Sequence, residues 1–170
     1  MFKIIYEDLK RKSVLYYGDC AKKKILRMLI TDGSLATITY RMCHLLRKLH
    51  LGFLALLLAK INEFFNHLVI GRNASFGPGF VLMHTFGIVI NSDVVGGKNI
   101  TLEHGVTIGS EKGKSPVLAD NIFIGAGAKI IGAVKIGNNV NIGANAVVVK
   151  DVPNNVTVAG VPAEIVKCYE

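Results

Sequence analysis

The segment Ile124-Gly-Ala-Gly-Ala-Lys-Ile130-Ile-Gly-Ala-Val-Lys-Ile136-Gly-Asn-Asn-Val-Asn-Ile142-Gly-Ala-Asn-Ala-Val-Val148 carries an aliphatic residue at every sixth position. The same step runs back through Leu118 to Val106, Ile100, Val94, Ile88, Leu82, Phe76 and Ile70, and fails once, at Lys112. Thirteen of these fourteen positions obey it. Neither the helical period of 3.6 nor the strand period of 2 produces this pattern. A short fixed repeat means one small unit stacked many times, and a six-residue repeat predicts a parallel β-helix.

Glycine often follows the apolar residue, as at Gly71, Gly77, Gly125, Gly137 and Gly143, and would relieve a tight corner. Four places after the apolar residue stand Ala74, Ser92, Ala128, Val134, Val140 and Ala146, small or β-branched. Three hexapeptides would close a triangular coil of about 18 residues, so residues 70–153 make between four and five coils, each rising about 4.8 Å. The polar stretch Gly109–Pro116 is the one interruption. Because the phase resumes after it, it reads as a loop bulging from an otherwise regular coil. A β-helix leaves a strand edge at each end that must be covered. Residues 1–69, read as helical, and the tail 154–170 are the expected caps.

The chain has 170 residues and a net charge of +8. Residues 1–69 hold twelve Lys and Arg against five Asp and Glu, whereas residues 70–170 hold eight against seven. No nucleic-acid motif accompanies this charge, so a solvated helix face is the expected meaning and no nucleic-acid partner is expected. Leu51–Ala59 is almost continuously apolar but too short to span a bilayer. It is expected to pack against the β-helix or another subunit, with peripheral membrane contact as the alternative. Three cysteines without metal spacing, and a start that lacks the apolar core of a secretory signal, lead to an expected cytoplasmic location.

Several segments resemble the hexapeptide-repeat acyltransferase family, in the branch that holds serine O-acetyltransferases and polysaccharide-biosynthesis O-acetyltransferases. They are Gly77-Pro-Gly-Phe-Val-Leu-Met-His84, Gly87-Ile-Val-Ile-Asn91, His104-Gly-Val-Thr-Ile-Gly109, Ile124-Gly-Ala-Gly-Ala-Lys-Ile-Ile-Gly132, Ile142-Gly-Ala144, Lys150-Asp-Val-Pro153 and Ala159-Gly-Val-Pro-Ala163. The resemblance implies a left-handed parallel β-helix, a homotrimer, and acetyl-coenzyme A held between subunits. It also implies pantetheine contacts at Ala126 and Ala144, and places Lys150 and Lys167 near the nucleotide end of the coenzyme.

Acetyl transfer to a hydroxyl needs a base for the hydroxyl proton and a donor for the oxyanion, and no metal. Histidine suits the base role near neutral pH. His84 is the first candidate, because it matches the histidine of the Asp-His-Gly-Thr-Gly motif of serine acetyltransferases. Here that segment reads Met83-His84-Thr85-Phe86-Gly87, and the family's other orienting carboxylate aligns with Val69. Some other group must therefore hold the imidazole. His104 is the second candidate, although its place four after Ile100 predicts that it faces the core. Glu103 is a candidate for orienting a histidine or touching the acceptor.

The family's Arg-His-Pro stretch, which helps hold an amino-acid acceptor, is matched by Lys114-Ser115-Pro116, and lysine replaces a bidentate arginine poorly. The expected reaction is thus O-acetylation of a sugar or glycan precursor. A serine O-acetyltransferase and a non-enzymatic β-helix scaffold are the alternatives. A zinc-dependent β-helix enzyme is disfavoured, because only His84 and His104 lie within the repeat. If the repeat builds the core, Ile130→Asp buries an unpaired charge there. The expected outcome is loss of the cooperative melting transition in circular dichroism.

Overall fold

The computed structural model describes residues 1–169; Glu170, the last residue of the predicted tail, lies outside them. Four helices come first: α1 (Phe2–Tyr17), α2 (Lys22–Met28), α3 (Ser34–Lys48) and α4 (Gly52–Asn66). Short strands then wind a left-handed parallel β-helix with three faces. The first sheet stacks β1 (Val69–Ile70), β4 (Val89–Ile90), β7 (Thr107–Gly109), β10 (Lys129–Ile131) and β13 (Val147–Val148). The second stacks β2 (Ser75–Phe76), β5 (Val95–Gly96), β8 (Val117–Leu118) and β11 (Lys135–Ile136). The third stacks β3 (Val81–Leu82), β6 (Ile100–Leu102), β9 (Ile122–Ile124), β12 (Val140–Ile142) and β14 (Val156–Ala159). A final strand, β15 (Glu164–Cys168), folds back antiparallel on β14 and covers that edge.

The register corrects the predicted ladder. Ile70 pairs with Ile90, which pairs in turn with Ile108, Ile130 and Val148. Successive coils therefore advance by 20, 18, 22 and 18 residues along this face, not by a uniform 18. Two extra residues fall between Leu82 and Ile90, and four more between Ile108 and Leu118. Together they add one whole hexapeptide, so the six-residue phase returns after the second insertion. Between the two, the positions stepped by six (Ile88, Val94, Ile100, Val106) are the other inward site of each repeat. All four are fully buried, as are Ile90, Leu102 and Ile108 two places later. Ser92, grouped by the six-residue step with the small residues four places after an apolar one, sits at a corner, where its Oγ accepts the Arg72 amide at 2.9 Å. The four-residue insertion is the Gly109–Pro116 loop, a small hairpin closed by Glu111 and Lys114.

Tight corners between the second and third sheets need left-handed backbone, and asparagine supplies it at Asn99, Asn121, Asn139 and Asn155, with φ between 56° and 59°. Their amides hydrogen-bond up the stack at 2.8, 3.1 and 2.8 Å.

The helices cap the open end through buried polar contacts as well as apolar packing. Arg41 on α3 donates to both carboxylate oxygens of Asp8 on α1 (2.8 and 3.1 Å) and to the carbonyls of Phe76 and Gly77 (2.7 Å each). Asp8 in turn accepts the amides of Gly79 and Phe80 at 2.8 and 2.9 Å. Burial pushes the Asp8 carboxyl up, against the lowering by Arg41 and these amides. Removing either partner would strand a buried charge. Helix α4 is rich in Leu and Ala, good helix formers. It buries Ala55 and Asn62 and leaves Phe53, Leu57, Ile61 and Phe64 exposed along its outer side. Among the described residues no helix is long and apolar enough to cross a membrane.

Tyr40 on α3 closes the cap. Its hydroxyl donates to the Ala74 carbonyl at 2.9 Å and accepts the Phe76 amide at 3.2 Å. Burial pushes its phenol up to about 12. The folded state thus prefers neutral Tyr40, and this preference is complete below pH 10 and lost as pH rises through about 12. Tyr40→Phe is expected to cost about 1–2 kcal/mol near neutral pH through the unpaired Phe76 amide. The gap to wild type should shrink above pH 10, as read from denaturant melts at both pH values.

Candidate active site

The corner after the third sheet gathers the predicted residues. His84 stands two places after Leu82, His104 two after Leu102, Ala126 two after Ile124 and Ala144 two after Ile142. Those four inward residues pair in one continuous ladder, so the four corner residues form a column up one edge of the prism. The backbone confirms the stacking: the Gly127 amide bonds to the His104 carbonyl, and the Asn145 amide to the Ala126 carbonyl, both at 2.8 Å. At a rise of about 4.8 Å per coil, Ala144 lies about 14 Å along the column from His84.

The histidine rings meet edge-on, with centroids 6.3 Å apart and planes at 66°. The first coil is 20 residues long, so residues 20 apart come into register there. His104 is therefore exposed, and the prediction that it faces the core is corrected. That prediction followed the six-residue phase across the insertion between Leu82 and Ile90. The true inward neighbour is Leu102, and two places after it the chain points out at the corner.

Lys150 and Lys167 lie off this column. Lys150 follows β13 at the next corner of the prism and is exposed. Lys167 lies in β15 opposite Thr157, with its ammonium 4.9 Å from the ring centre of Tyr169.

The group that holds the imidazole is one that sequence reasoning missed. His84 Nδ1 lies 3.3 Å from Oδ2 of Asp32, in the turn before α3. A carboxylate only accepts, so this contact places the proton on Nδ1 and leaves the Nε2 lone pair available. The pair is open to water, His84 being 52% and Asp32 77% exposed. Asp32 lies 52 residues from His84 and outside the repeat, so no local pattern marked it. Glu103, adjacent to His104, is half-buried. Tyr16, near the end of α1, belongs to the same neighbourhood: burial and the charges of Asp32 and Glu103 push its phenol up. One imidazole with a free nitrogen, a second beside it, and carboxylates on two sides can take a proton from a hydroxyl and hold a cationic group nearby.

Comparison with known proteins places this architecture. Residues 115–150 match the family model described as bacterial transferase hexapeptide (six repeats). The chain is 35% identical over 170 residues to serine acetyltransferase of Bacillus pumilus (strain SAFR-032), covering 97% of this chain and 77% of the relative. Among solved structures, serine acetyltransferase from Brucella abortus strain S19 in complex with coenzyme A superposes with a TM-score of 0.87. It is 31% identical, over 99% of this chain and 68% of that one. The Neisseria gonorrhoeae serine acetyltransferase in complex with serine gives a TM-score of 0.85 and 34% identity, over 98% of this chain and 69% of that one.

The fold and the repeat define a hexapeptide-repeat acyltransferase. Within that class, the chain belongs to the serine acetyltransferase family. This overturns the sugar or glycan acceptor expected from the sequence, and with it a role in polysaccharide biosynthesis. That expectation rested on one missing arginine, which grips only the carboxylate end of a zwitterion. It gave no weight to Asp32, whose place near His84 the linear sequence does not display.

Asp32→Asn keeps an acceptor for Nδ1–H but removes the charge. For a pair this exposed, roughly 0.4–1 kcal/mol is at stake, so kcat is expected to fall by about 2- to 5-fold. The KM for acetyl-coenzyme A should stay unchanged in steady-state assays.

Proposed function

We propose that this protein transfers the acetyl group of acetyl-coenzyme A to the side-chain hydroxyl of serine, with His84 as general base. The observation that carries this reading is the His84–Asp32 pair at the head of a corner column that continues through His104, Ala126 and Ala144. It is joined to membership of the serine acetyltransferase family, whose solved structures include one with coenzyme A and one with serine.

The residues present suit the coenzyme. Ala126 and Ala144 leave the backbone of two successive coils open to an extended amide-bearing arm, as small side chains must if the arm is to hydrogen-bond along it. Lys150 and Lys167 supply cations for its phosphates. Lying apart, one at the corner after β13 and the other within β15, they would serve different segments of the ligand.

In the reaction, Nε2 of His84 takes the serine hydroxyl proton as the oxygen attacks the thioester carbonyl. Asp32 balances the imidazolium that results. A backbone N–H at the corner stabilises the tetrahedral oxyanion. The carbon–sulfur bond then breaks, and the proton held by His84 passes to the departing thiolate, giving O-acetylserine and free coenzyme A. His104 lies beside the reacting centre as a contact for the acceptor. Asp32 and Glu103 supply negative charge for the ammonium group of serine, the end of the zwitterion that Lys114 does not address. We assign the protein to a homotrimer with active sites between subunits. Val69, Val89, Val95 and Val117 are exposed on the first two faces and suit burial against a neighbouring prism.

Serine and acetyl-coenzyme A together should release free thiol, and no release would remove serine as the acceptor. His84→Ala is expected to lower kcat by roughly 10²–10⁴ while calorimetric binding of coenzyme A stays intact. Loss of activity in His104→Ala but not in His84→Ala would exchange the two roles.

A further inference from the structure

Lys12 on α1 is a buried cation that the reaction does not use. It is 2% exposed, and a charge so placed is costly unless the fold gives it partners. Its ammonium donates to the carbonyl oxygen of Asp32, to Ser34 Oγ at 3.1 Å and to the Leu82 carbonyl at 3.1 Å. Three acceptors are the full capacity of an ammonium. They come from two segments: the turn that enters α3, and the end of β3.

A second contact joins the same two segments. Gly33 has φ +76°, and a Cβ there would overlap the Leu82 carbonyl. The turn therefore lies directly on the strand end, closer than any side chain allows. The residues of the histidine–carboxylate pair flank this junction: Asp32 precedes Gly33, and His84 follows Leu82 by two. The Asp32 side chain is itself 77% exposed, and its one side-chain hydrogen bond among the described residues is to His84. Its position is thus set by the backbone beneath it.

We propose that Lys12 is a positioning residue, whose ammonium ties the Asp32 turn to the end of β3 and so holds the carboxylate at Nδ1 of His84. The proposal rests on the reading of His84 as the general base. The charge faces Asp32 from the turn and the Tyr16 ring, 5.9 Å away, from its own helix. Burial draws the ammonium down to about 8, with the Asp32 charge acting in the opposite direction. The tether is therefore held in place at some electrostatic cost. A lysine needed only to fill space would be replaced at less cost by methionine, which has a similar shape and no charge.

Nitrogen-15 NMR of the neutral His84 ring reports which nitrogen carries the proton, and does so without any assay. Wild type is expected to hold the proton on Nδ1. Lys12→Met should move the ring toward a mixture of tautomers, as Asp32→Asn should, and Lys12→Arg should restore at least half of the Nδ1–H form. In turnover, Lys12→Met should lower kcat by the same 2- to 5-fold as Asp32→Asn, with the KM for acetyl-coenzyme A unchanged. The double variant should be no slower than Asp32→Asn alone, because both changes remove one effect.

A wild-type tautomer in a folded Lys12→Met protein overturns the proposal and leaves Lys12 a purely structural residue; additive losses in the double variant do the same. Should Lys12→Met fail to fold, Ser34→Ala decides, since it removes one acceptor of the tether, and an unchanged tautomer there is equally fatal. If His84→Ala keeps full turnover, the base assignment fails, while the spectra still decide the role of Lys12.

Discussion

A coil of this prism can stack only where its inward side chains meet those of the coil beneath and its amides find the carbonyls there. That register constraint governs the rest of the molecule. Extra residues cannot be absorbed inside a strand without turning its buried side chains outward, so both insertions fall at corners. One makes the Gly109–Pro116 hairpin. The other lengthens the first coil in the segment that carries His84, and so stacks His104 directly over His84 on the next coil of the same edge. The asparagine ladder holds a different corner, where Asn99, Asn121, Asn139 and Asn155 each accept a left-handed backbone.

The helical cap does more than cover a strand edge. It docks through groups buried on both sides: Asp8 and Arg41 against the turn after β2, Tyr40 against Ala74, and Lys12 against Leu82. Directional hydrogen bonds of this kind fix where a helix sits, which apolar packing alone leaves free to slide. The precision matters because the carboxylate beside His84 comes from the cap and the imidazole comes from the prism. The site is a junction between two architectures of one chain, and relative slippage of the two would separate the pair.

Much of the fold was legible because inward stacking forces the same residue type to recur at a fixed interval. The exact coil lengths were not, since insertions of two and four residues restored the original phase and concealed each other. His84 was legible as a corner residue that resembles a family motif. His104 was misplaced toward the core by the same concealed shift. Asp32 left no trace in the pattern: a polar residue in a turn 52 positions away carries no periodicity that could tie it to a histidine. Lys12 likewise read as one more cation of a basic, solvated helix face, because composition cannot distinguish a buried ammonium from an exposed one. The acceptor was misjudged for a related reason. One absent arginine was visible in the sequence, whereas the carboxylate beside His84 became its neighbour only on folding.

By itself the sequence determined that the second half coils into a parallel prism and that helices precede it, and its short motifs carried the resemblance to acyltransferases. Periodicity and short motifs are local, and local facts survive in a linear string. Only the tertiary structure decided which coil each histidine occupies, which carboxylate faces His84, and that a buried lysine ties the cap to the prism. Those depend on distances between residues far apart in the chain, set by register and docking, and no short-range pattern encodes them.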